Sequence, residues 1–365
     1  MTKINVGVFF GGKSAEHEIS LISAQNVIKS LDRKKYNPIL IAIDQEGKWF
    51  YQGDEQLLYL TDDPKKIKIM DRTKPVLLSP VANDHRLLDS GSLEEIAKID
   101  VIYPVLHGTY GEDGAIQGLA KMANLPCVGC GILGSSVGMD KEIMKRVLTA
   151  NDINNAPYIS LKSNDEKRPS YEEVKEQLGS ELFVKPANMG SSVGITHVKD
   201  GSDFNKALDY AFEYDHKILI ESRVMGREVE CAVMGNLDPK ASTVGEVIPK
   251  GGFYSYESKY IDEDGAALEV PAKISEGELL KVQVVAIQTY KALECRGLTR
   301  VDMFLTASGD CFINEVNTLP GFTKISMYPT LWGLSGIPIN ELVDRLIQYA
   351  IQEHNDMEAL EVKFH

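Results

Sequence analysis

The stretch TRVDMFLTASGDCFINEVN, residues 299–317, constrains the fold more than any other part of the chain. Two alternating runs of apolar and polar residues flank an SGD turn signal, the pattern of a β-hairpin with one buried and one polar face. With Ala307 to Asp310 as the loop, Thr306 is expected to pair with Cys311, Asp302 with Glu315 and Arg300 with Asn317. Side chains alternate faces along a strand, so Arg300, Asp302, Glu315 and Asn317 project together. Val301, Met303, Ile313 and Val316 are expected to fill the opposite face, which argues against a merely solvated polar hairpin. Two carboxylates directly opposite one another repel unless something neutralises them. Oxygen donors from Asp, Glu and Asn are what Mg²⁺ accepts beside phosphate oxygens, so Asp302, Glu315 and Asn317 are candidate metal ligands. Arg300, on the same face, is suited to hold a transferring phosphoryl group.

Two lysines extend this into a candidate phosphate grip. Lys185 follows the apolar run Leu182 to Val184 and precedes the loop Pro186 to Gly194, whose glycines permit a cover over phosphates. Lys141 follows Asp140, a candidate N-cap, and so lies near a helix N-terminus, where anions collect. The segment GVFFGGKS, residues 7–14, satisfies the phosphate-loop pattern G-x-x-x-x-G-K-[ST] at every position. Yet Ile4, Val6, Val8 and Phe10 read as one buried strand with Gly7 inside it, leaving only Gly11 to Ser14 as loop. Strand, glycine turn and amphipathic helix make a ligand-binding corner there, with the nucleotide phosphates expected elsewhere.

The formal net charge of −14 argues against a nucleic-acid binder, which needs a basic face. No stretch approaches the roughly 20 apolar residues of a membrane span. The N-terminus enters a strand with no signal-peptide pattern, so a cytoplasmic protein without membrane association is expected. The five cysteines lie in apolar context and read as buried free thiols. Cys127 and Cys130 form a C-x-x-C, but no second pair at zinc-site spacing accompanies them.

Along the first third, strands at 4–10, 38–43 and 101–106 and a helix near 20–31 alternate as in an open α/β sheet. Residues 53–98, charged and weakly periodic, read as a surface insertion. From about residue 130 the pattern changes: a helix from Met139-Asp140-Lys141, two strands around the glycine–serine loop, a helix at 203–213, and strands at 217–222, 228–234 and 243–248. The loop GGFYSYESKYIDEDG, a helix near 276–294, the hairpin and a last helix near 339–354 follow.

The motifs GGKSAEHEIS, HGTYGEDGAIQG, MDK, FVKPANMGSSVG, KY, RVD and NEVNTLPGF, in that order, resemble the D-alanine–D-alanine ligases of the ATP-grasp superfamily over essentially the whole chain. The resemblance implies an α/β and α+β protein with the ATP-grasp fold. It implies three domains: an N-terminal open parallel α/β domain (1–129), a central domain (130–221) and a C-terminal domain with metal site and lid (222–365). ATP would lie between the antiparallel sheets of the last two. Lys141 and Lys185 would contact its phosphates, Glu221, the backbone at Val224, and Glu228 its adenine and ribose, and Lys259, from the lid that closes over the site, would also bind the nucleotide. Asp302, Glu315 and Asn317 would bind two Mg²⁺ ions, with Mn²⁺ a substitute. Tyr260, from the lid, would reach Ser191, and Ser191 in turn Glu16, which faces the ammonium of the first D-alanine. His107 would lie near that substrate, Arg300 and the Gly321 N–H would stabilise the oxyanion, and Ser326 with the Met327 N–H would anchor the second D-alanine. A homodimer is implied as well. Ligases that use D-lactate usually depart from the Lys-Tyr pair, so Lys259-Tyr260 favours D-alanine at both positions over D-lactate or D-serine. A regulator that had lost turnover would be expected to lack Arg300 or a metal carboxylate, and neither is missing.

Overall fold

The computed structural model describes residues 2–53, 55, 61, 63, 66–249 and 266–361. Its first sheet runs β3 (Trp49–Gln52), β2 (Tyr36–Ile43), β1 (Ile4–Gly11), β7 (Val101–Val105), with β1 parallel to both neighbours and β3 an antiparallel edge. Parallel strands covered on both faces are apolar throughout, and these are. Val6, Val8 and Phe10 pack on helix α1 (His17–Ser30) and on the C-terminal helix α9 (Ile339–Glu358). Phe9 and Ile41 face the other way, onto α2 (Ala115–Ala123). Gly7 lies inside β1, paired with Ile39 and Ile102, so residues 7–14 do not form a phosphate loop. The turn is made by Gly11 and Gly12 at φ +88° and +97°; a β-carbon on Gly11 would come within 2.2 Å of the Ile43 carbonyl oxygen.

Residues 53–98 depart from the surface insertion expected of them. They contain an antiparallel sheet of β4 (Val76–Leu78), β5 (Arg86–Asp89) and β6 (Glu95–Lys98). Val76, Leu78 and Leu87 join the core beneath β1, and Ile67 and Ile69 join the one above it. Strands of three and four residues give too few repeats for their alternation to stand out among the charges.

Two short helices, α3 (Ile132–Met139) and α4 (Lys141–Ala150), follow, separated by Asp140. The Asp140 carboxylate accepts from the N–H groups of Glu142 and Ile143, the N-cap its position suggested. The next sheet is antiparallel, in the order β10 (Thr196–Val198), β9 (Leu182–Pro186), β11 (Lys217–Ser222), β8 (Tyr158–Lys162). Leu182, Val184, Ile218 and Ile220 pack on helices α5 (Tyr171–Leu178) and α6 (Phe204–Phe212). Alternation therefore turns Lys185, Leu219 and Glu221 to the other face.

The largest sheet is also antiparallel: β14 (Ala266–Glu269), β13 (Lys240–Pro249), β12 (Arg227–Gly235), β15 (Gly297–Leu305), β16 (Cys311–Asn317). Val229, Cys231, Val301, Met303, Ile313 and Val316 bury one face against α7 (Glu276–Ala292) and α4. Helix α8 (Met327–Leu334) and α9 carry the chain back to the first sheet, sharing its core through Tyr328, Trp332 and Leu346. Among the described residues no helix is long and apolar enough to cross a membrane.

Candidate active site

The hairpin pairs Asp302 with Glu315 and Arg300 with Asn317, as its sequence suggested. Past that point the register shifts by one: Leu305, not Thr306, pairs with Cys311, and Asn314 is the extra residue of a β-bulge. The loop is correspondingly one residue longer, Thr306 to Asp310, with the Thr306 N–H donating to the Asp310 carbonyl at 2.9 Å and the Asp310 N–H to Thr306 Oγ1 at 3.0 Å. The bulge has a packing consequence. Strict alternation from Glu315 would set Ile313 among the carboxylates, whereas the extra residue returns it to the buried face beside Val316.

The adjacent strand contributes a group that the hairpin alone does not reveal. Glu230 on β12 lies opposite Asp302, and Glu228 two residues earlier shares its face. Glu230 and Asp302 both hold Arg300. The arginine Nε and Nη2 donate to Asp302 at 2.7 and 2.6 Å, and Nε lies 2.9 Å from Glu230 Oε2. Burial alone would lower the Arg300 pKa, but the Asp302 and Glu230 charges carry it well above its ordinary value. The guanidinium is thus a fixed cation. Asn317 Nδ2 donates to Asp302 at 2.9 Å, and Glu315 Oε2 lies 3.8 Å from Lys141 Nζ. The signal for Glu230 was present in REVECAV, but only with β12 known to neighbour β15.

Across from this face, Lys185 and Glu221 meet on their own sheet at 2.6 Å, and Lys145 from α4 approaches the other Glu221 oxygen at 3.2 Å. Burial alone would raise the Glu221 pKa, but the two lysines hold it below the usual carboxylate value. Lys145 is fully buried, donates to the Ala156 carbonyl at 3.1 Å, and is pushed down to about 8 by that burial against the pull of Glu221. Lys141 Nζ donates to the Met189 carbonyl at 2.7 Å, which ties α4 to the glycine–serine loop. Val224 is half-buried in the connection between β11 and β12.

The third side comes from the N-terminal sheet. Glu16, just before α1, accepts a hydrogen bond of 2.5 Å from the Ser191 hydroxyl. Ser191 sits in the loop after β9 with φ +52°. Glu16, Ser191, Arg300, Glu315, Gly321 and Met327 line one cavity of about 370 Å³, which His107, Asn317 and Ser326 also border. His107 is buried, with Nδ1 2.9 Å from the Leu319 carbonyl and Nε2 3.1 Å from Ser23 Oγ. Burial lowers its pKa, so the ring is neutral: Nδ1–H donates to Leu319 and Nε2 accepts from Ser23. Glu112 is raised to about 8, first by burial and then by the Glu16 charge, while accepting from the N–H groups of Gly108 and Leu319 at 2.9 Å each. Asp113 accepts from Tyr110 and Ala115 and caps α2. Ser326 Oγ accepts from the Thr323 N–H at 2.9 Å, and Met327 opens α8, whose first N–H groups have no partner within the helix.

The structure therefore gathers Glu16, His107, Ser191, Arg300, Asp302, Glu315, Asn317, Gly321, Ser326 and Met327 around one cleft. Lys259 and Tyr260 lie outside the described residues. Among the described residues no group of three or more His, Cys, Asp or Glu converges as a metal cage. The set available is two carboxylates and an amide oxygen on one face. It suits a hard cation that completes its shell with phosphate oxygens and water. All five cysteines are free, Cys127 half-buried and the others buried.

Known proteins resemble the chain over nearly its whole length. Residues 5–130 match the family model for the D-ala D-ala ligase N-terminus, and residues 147–348 that for its C-terminus. The chain is 48% identical over 354 residues to D-alanine–D-alanine ligase of Shouchella clausii, covering 97% of this chain and 96% of that one. It is 45% identical over 360 residues to D-alanine–D-alanine ligase A of Escherichia coli K12, covering 99% of each. Among solved structures, the D-alanine–D-alanine ligase of Coxiella burnetii superposes with a TM-score of 0.84 at 36% identity, over 98% of this chain and 97% of that one. The VanG D-Ala:D-Ser ligase of Enterococcus faecalis does so with 0.85 at 34%, over 96% of this chain and all of that one.

Proposed function

The chain belongs to the D-alanine–D-alanine ligase family, and from that premise we propose that its cleft joins two D-alanine molecules into D-alanyl-D-alanine at the expense of ATP, for peptidoglycan precursors. The family is ATP-dependent and has the ATP-grasp fold. The observation that carries the reading is the single cavity in which Glu16, Ser191, Arg300, Gly321 and Met327 meet, beside the carboxylates of the hairpin. Glu16, bound to Ser191, takes the ammonium of the first D-alanine. Its carboxylate, next to Arg300, attacks the γ-phosphorus of ATP, giving D-alanyl phosphate and ADP. The unprotonated amine of the second D-alanine then attacks that carbonyl carbon. A C–N bond forms, the C–O bond to phosphate breaks, phosphate leaves with the electron pair, and the proton that the amine nitrogen sheds passes to the departing phosphate. Arg300 and the Gly321 N–H stabilise the oxyanion between the two events. Ser326 Oγ and the Met327 N–H hold the carboxylate of the second substrate, and His107 orders the loop beside the first.

Lys141 and Lys185 take the nucleotide phosphates, Glu221, the Val224 backbone and Glu228 the adenine and ribose, and Lys259 joins them from the lid. Asp302, Glu315 and Asn317 would hold two Mg²⁺ ions, or Mn²⁺, which when bound neutralise charge on the transferring phosphoryl group. Tyr260 closes over Ser191 as part of a lid. The proposal includes the domain division 1–129, 130–221 and 222–365, a cytoplasmic location and a homodimer. The test is phosphate release from Mg·ATP with D-alanine alone, with added D-serine and with added D-lactate, products identified by mass. D-alanine-dependent release with D-alanyl-D-alanine as main product is expected. A mixed product as the main species would overturn the choice of second substrate, and no turnover would overturn the activity.

A further inference from the structure

The segment Leu319-Pro320-Gly321-Phe322 carries the proposed oxyanion donor, and its backbone is held from outside by four side chains. The Leu319 N–H donates to Glu112 Oε1 at 2.9 Å, and the Leu319 carbonyl accepts from His107 Nδ1 at 2.9 Å. The Phe322 N–H donates to Ser23 Oγ at 3.1 Å, and the Phe322 carbonyl accepts from Asn26 Nδ2 at 2.9 Å. Ser23 also donates to His107 Nε2, so the two ends of the segment are joined through one hydroxyl. Pro320 has no N–H and a fixed φ. Among the described residues the Gly321 N–H is then the segment's one donor that no group engages, and Gly321 lines the cavity.

We propose that Ser23 and Asn26, on helix α1, are positioning residues for acyl transfer: with His107 and Glu112 they fix the Leu319–Pro320 and Gly321–Phe322 peptide groups, one on each side of the Pro320–Gly321 peptide, and so aim the Gly321 N–H at the reacting carbonyl. The inference rests on the oxyanion role given to Gly321 above. The segment belongs by sequence to the C-terminal half, while all four clamping residues come from the N-terminal sheet and its connections. Ser23 is fully buried one turn above Ile19, where an unpartnered hydroxyl would be costly, and its two polar neighbours, His107 Nε2 and the Phe322 N–H, account for it. The N-terminal sheet thereby acts on the second half-reaction as well as on the first substrate. A donor misdirected by about an ångström costs on the order of a hundredfold in rate, and partial loss of the clamp costs less.

The test uses the full chain with Ser23→Ala, Asn26→Asp and the double variant. Asn26→Asp keeps shape but replaces the amide donor with an acceptor facing the Phe322 carbonyl, and its half-buried position guards against a folding failure of Ser23→Ala. The expected result is a fall in kcat of about tenfold in each single variant, with the double variant short of the product of the two, since both act on one segment. KM for ATP and the affinity for Mg·ADP measured by calorimetry should stay within about twofold, because no nucleotide group touches the clamp. A merely structural role would instead move nucleotide affinity and kcat together with the melting temperature, and that pattern overturns the proposal. So does a kcat within about twofold of wild type in both single variants. A wild-type chain that made no D-alanyl-D-alanine would overturn the functional reading and this inference with it, whereas active wild type with unaffected variants overturns the inference alone.

Discussion

Replacing Glu230 by Gln tests the electrostatics of the cleft with almost no change of shape. Arg300 is held by Asp302 through two hydrogen bonds of 2.7 and 2.6 Å and by Glu230 at 2.9 Å. If Asp302 turns to a divalent cation during turnover, Glu230 becomes the group that keeps the guanidinium in line with the first substrate. A hydrogen bond to a charged group contributes about 1.5–3 kcal/mol, and Gln retains an acceptor oxygen without the charge, so about half of that should be lost. Roughly 0.8–1.5 kcal/mol corresponds to about a four- to thirteenfold fall in kcat/KM for D-alanine. Phosphate release at saturating Mg·ATP and varied D-alanine measures it. KM for ATP should change by less than about twofold, since Glu230 lies on the Arg300 side of the cleft. A variant with unchanged kcat/KM would show that Asp302 alone orients Arg300, and an equal loss in ATP affinity would refute the division between substrate and nucleotide sides.

Glu112 gives a pH signature. Its folded pKa of about 8 lies above the ordinary 4.5, so the folded chain keeps a proton that the unfolded chain gives up, and this contribution to stability is lost as pH rises between those values. Urea unfolding of Glu112→Gln should therefore show a shallower decline between pH 5 and 8 than wild type, and parallel curves would contradict it. Lys145→Met leaves Lys185 as the remaining close cation on Glu221 among the described residues, which ties Lys185 more firmly to that carboxylate. KM for ATP should rise about tenfold with KM for D-alanine unchanged, checked by steady-state kinetics. Deleting Asn314 removes the bulge but makes Ile313 the direct neighbour of Glu315 and so keeps it on the opposite, buried face; a loss of less than about 1 kcal/mol is expected in chemical denaturation, and a loss of the full burial of Ile313, about 1.5–3 kcal/mol, would contradict it.

How far the sequence could be read depended on whether a feature was local. The paired carboxylates and the Asp140 cap needed only alternation or the next three residues, and both are present. The bulge at Asn314 was missed because an added residue leaves the strand pattern on each side intact; only the apolar Ile313 on the wrong parity betrayed it. Glu230 was missed because its role depends on which strand lies beside β15, and the order β13-β12-β15 is set by packing far along the chain. The clamp on Leu319 to Phe322 joins residues between 207 and 299 positions apart, and side-chain to backbone contacts leave no periodic trace. Residues Val76 to Lys98 read as polar surface because each of their strands offers only one or two inward positions.

The cleft cations share a property that links nucleotide and metal binding. Lys185 is paired with Glu221, Lys141 stands near Glu315, and Arg300 is held by Asp302 and Glu230. A buried charge without a partner costs several kcal/mol, so no one of these groups can leave its partner cheaply unless both find replacements. Phosphate oxygens can replace the carboxylates on Lys141 and Lys185, and a divalent cation can replace the lysine and arginine on Glu315 and Asp302. Each exchange done alone weakens a pair: phosphate that draws Lys141 away moves a cation off Glu315, and metal that draws Asp302 away loosens Arg300. Done together they leave every charge paired. Nucleotide and metal should therefore bind with positive coupling, each raising the affinity for the other by the same factor. On the roles proposed above, the self-paired cleft makes Arg300 available to the substrate carboxylate chiefly when Asp302 has another partner, so metal and nucleotide are expected to bind before the chemistry on D-alanine.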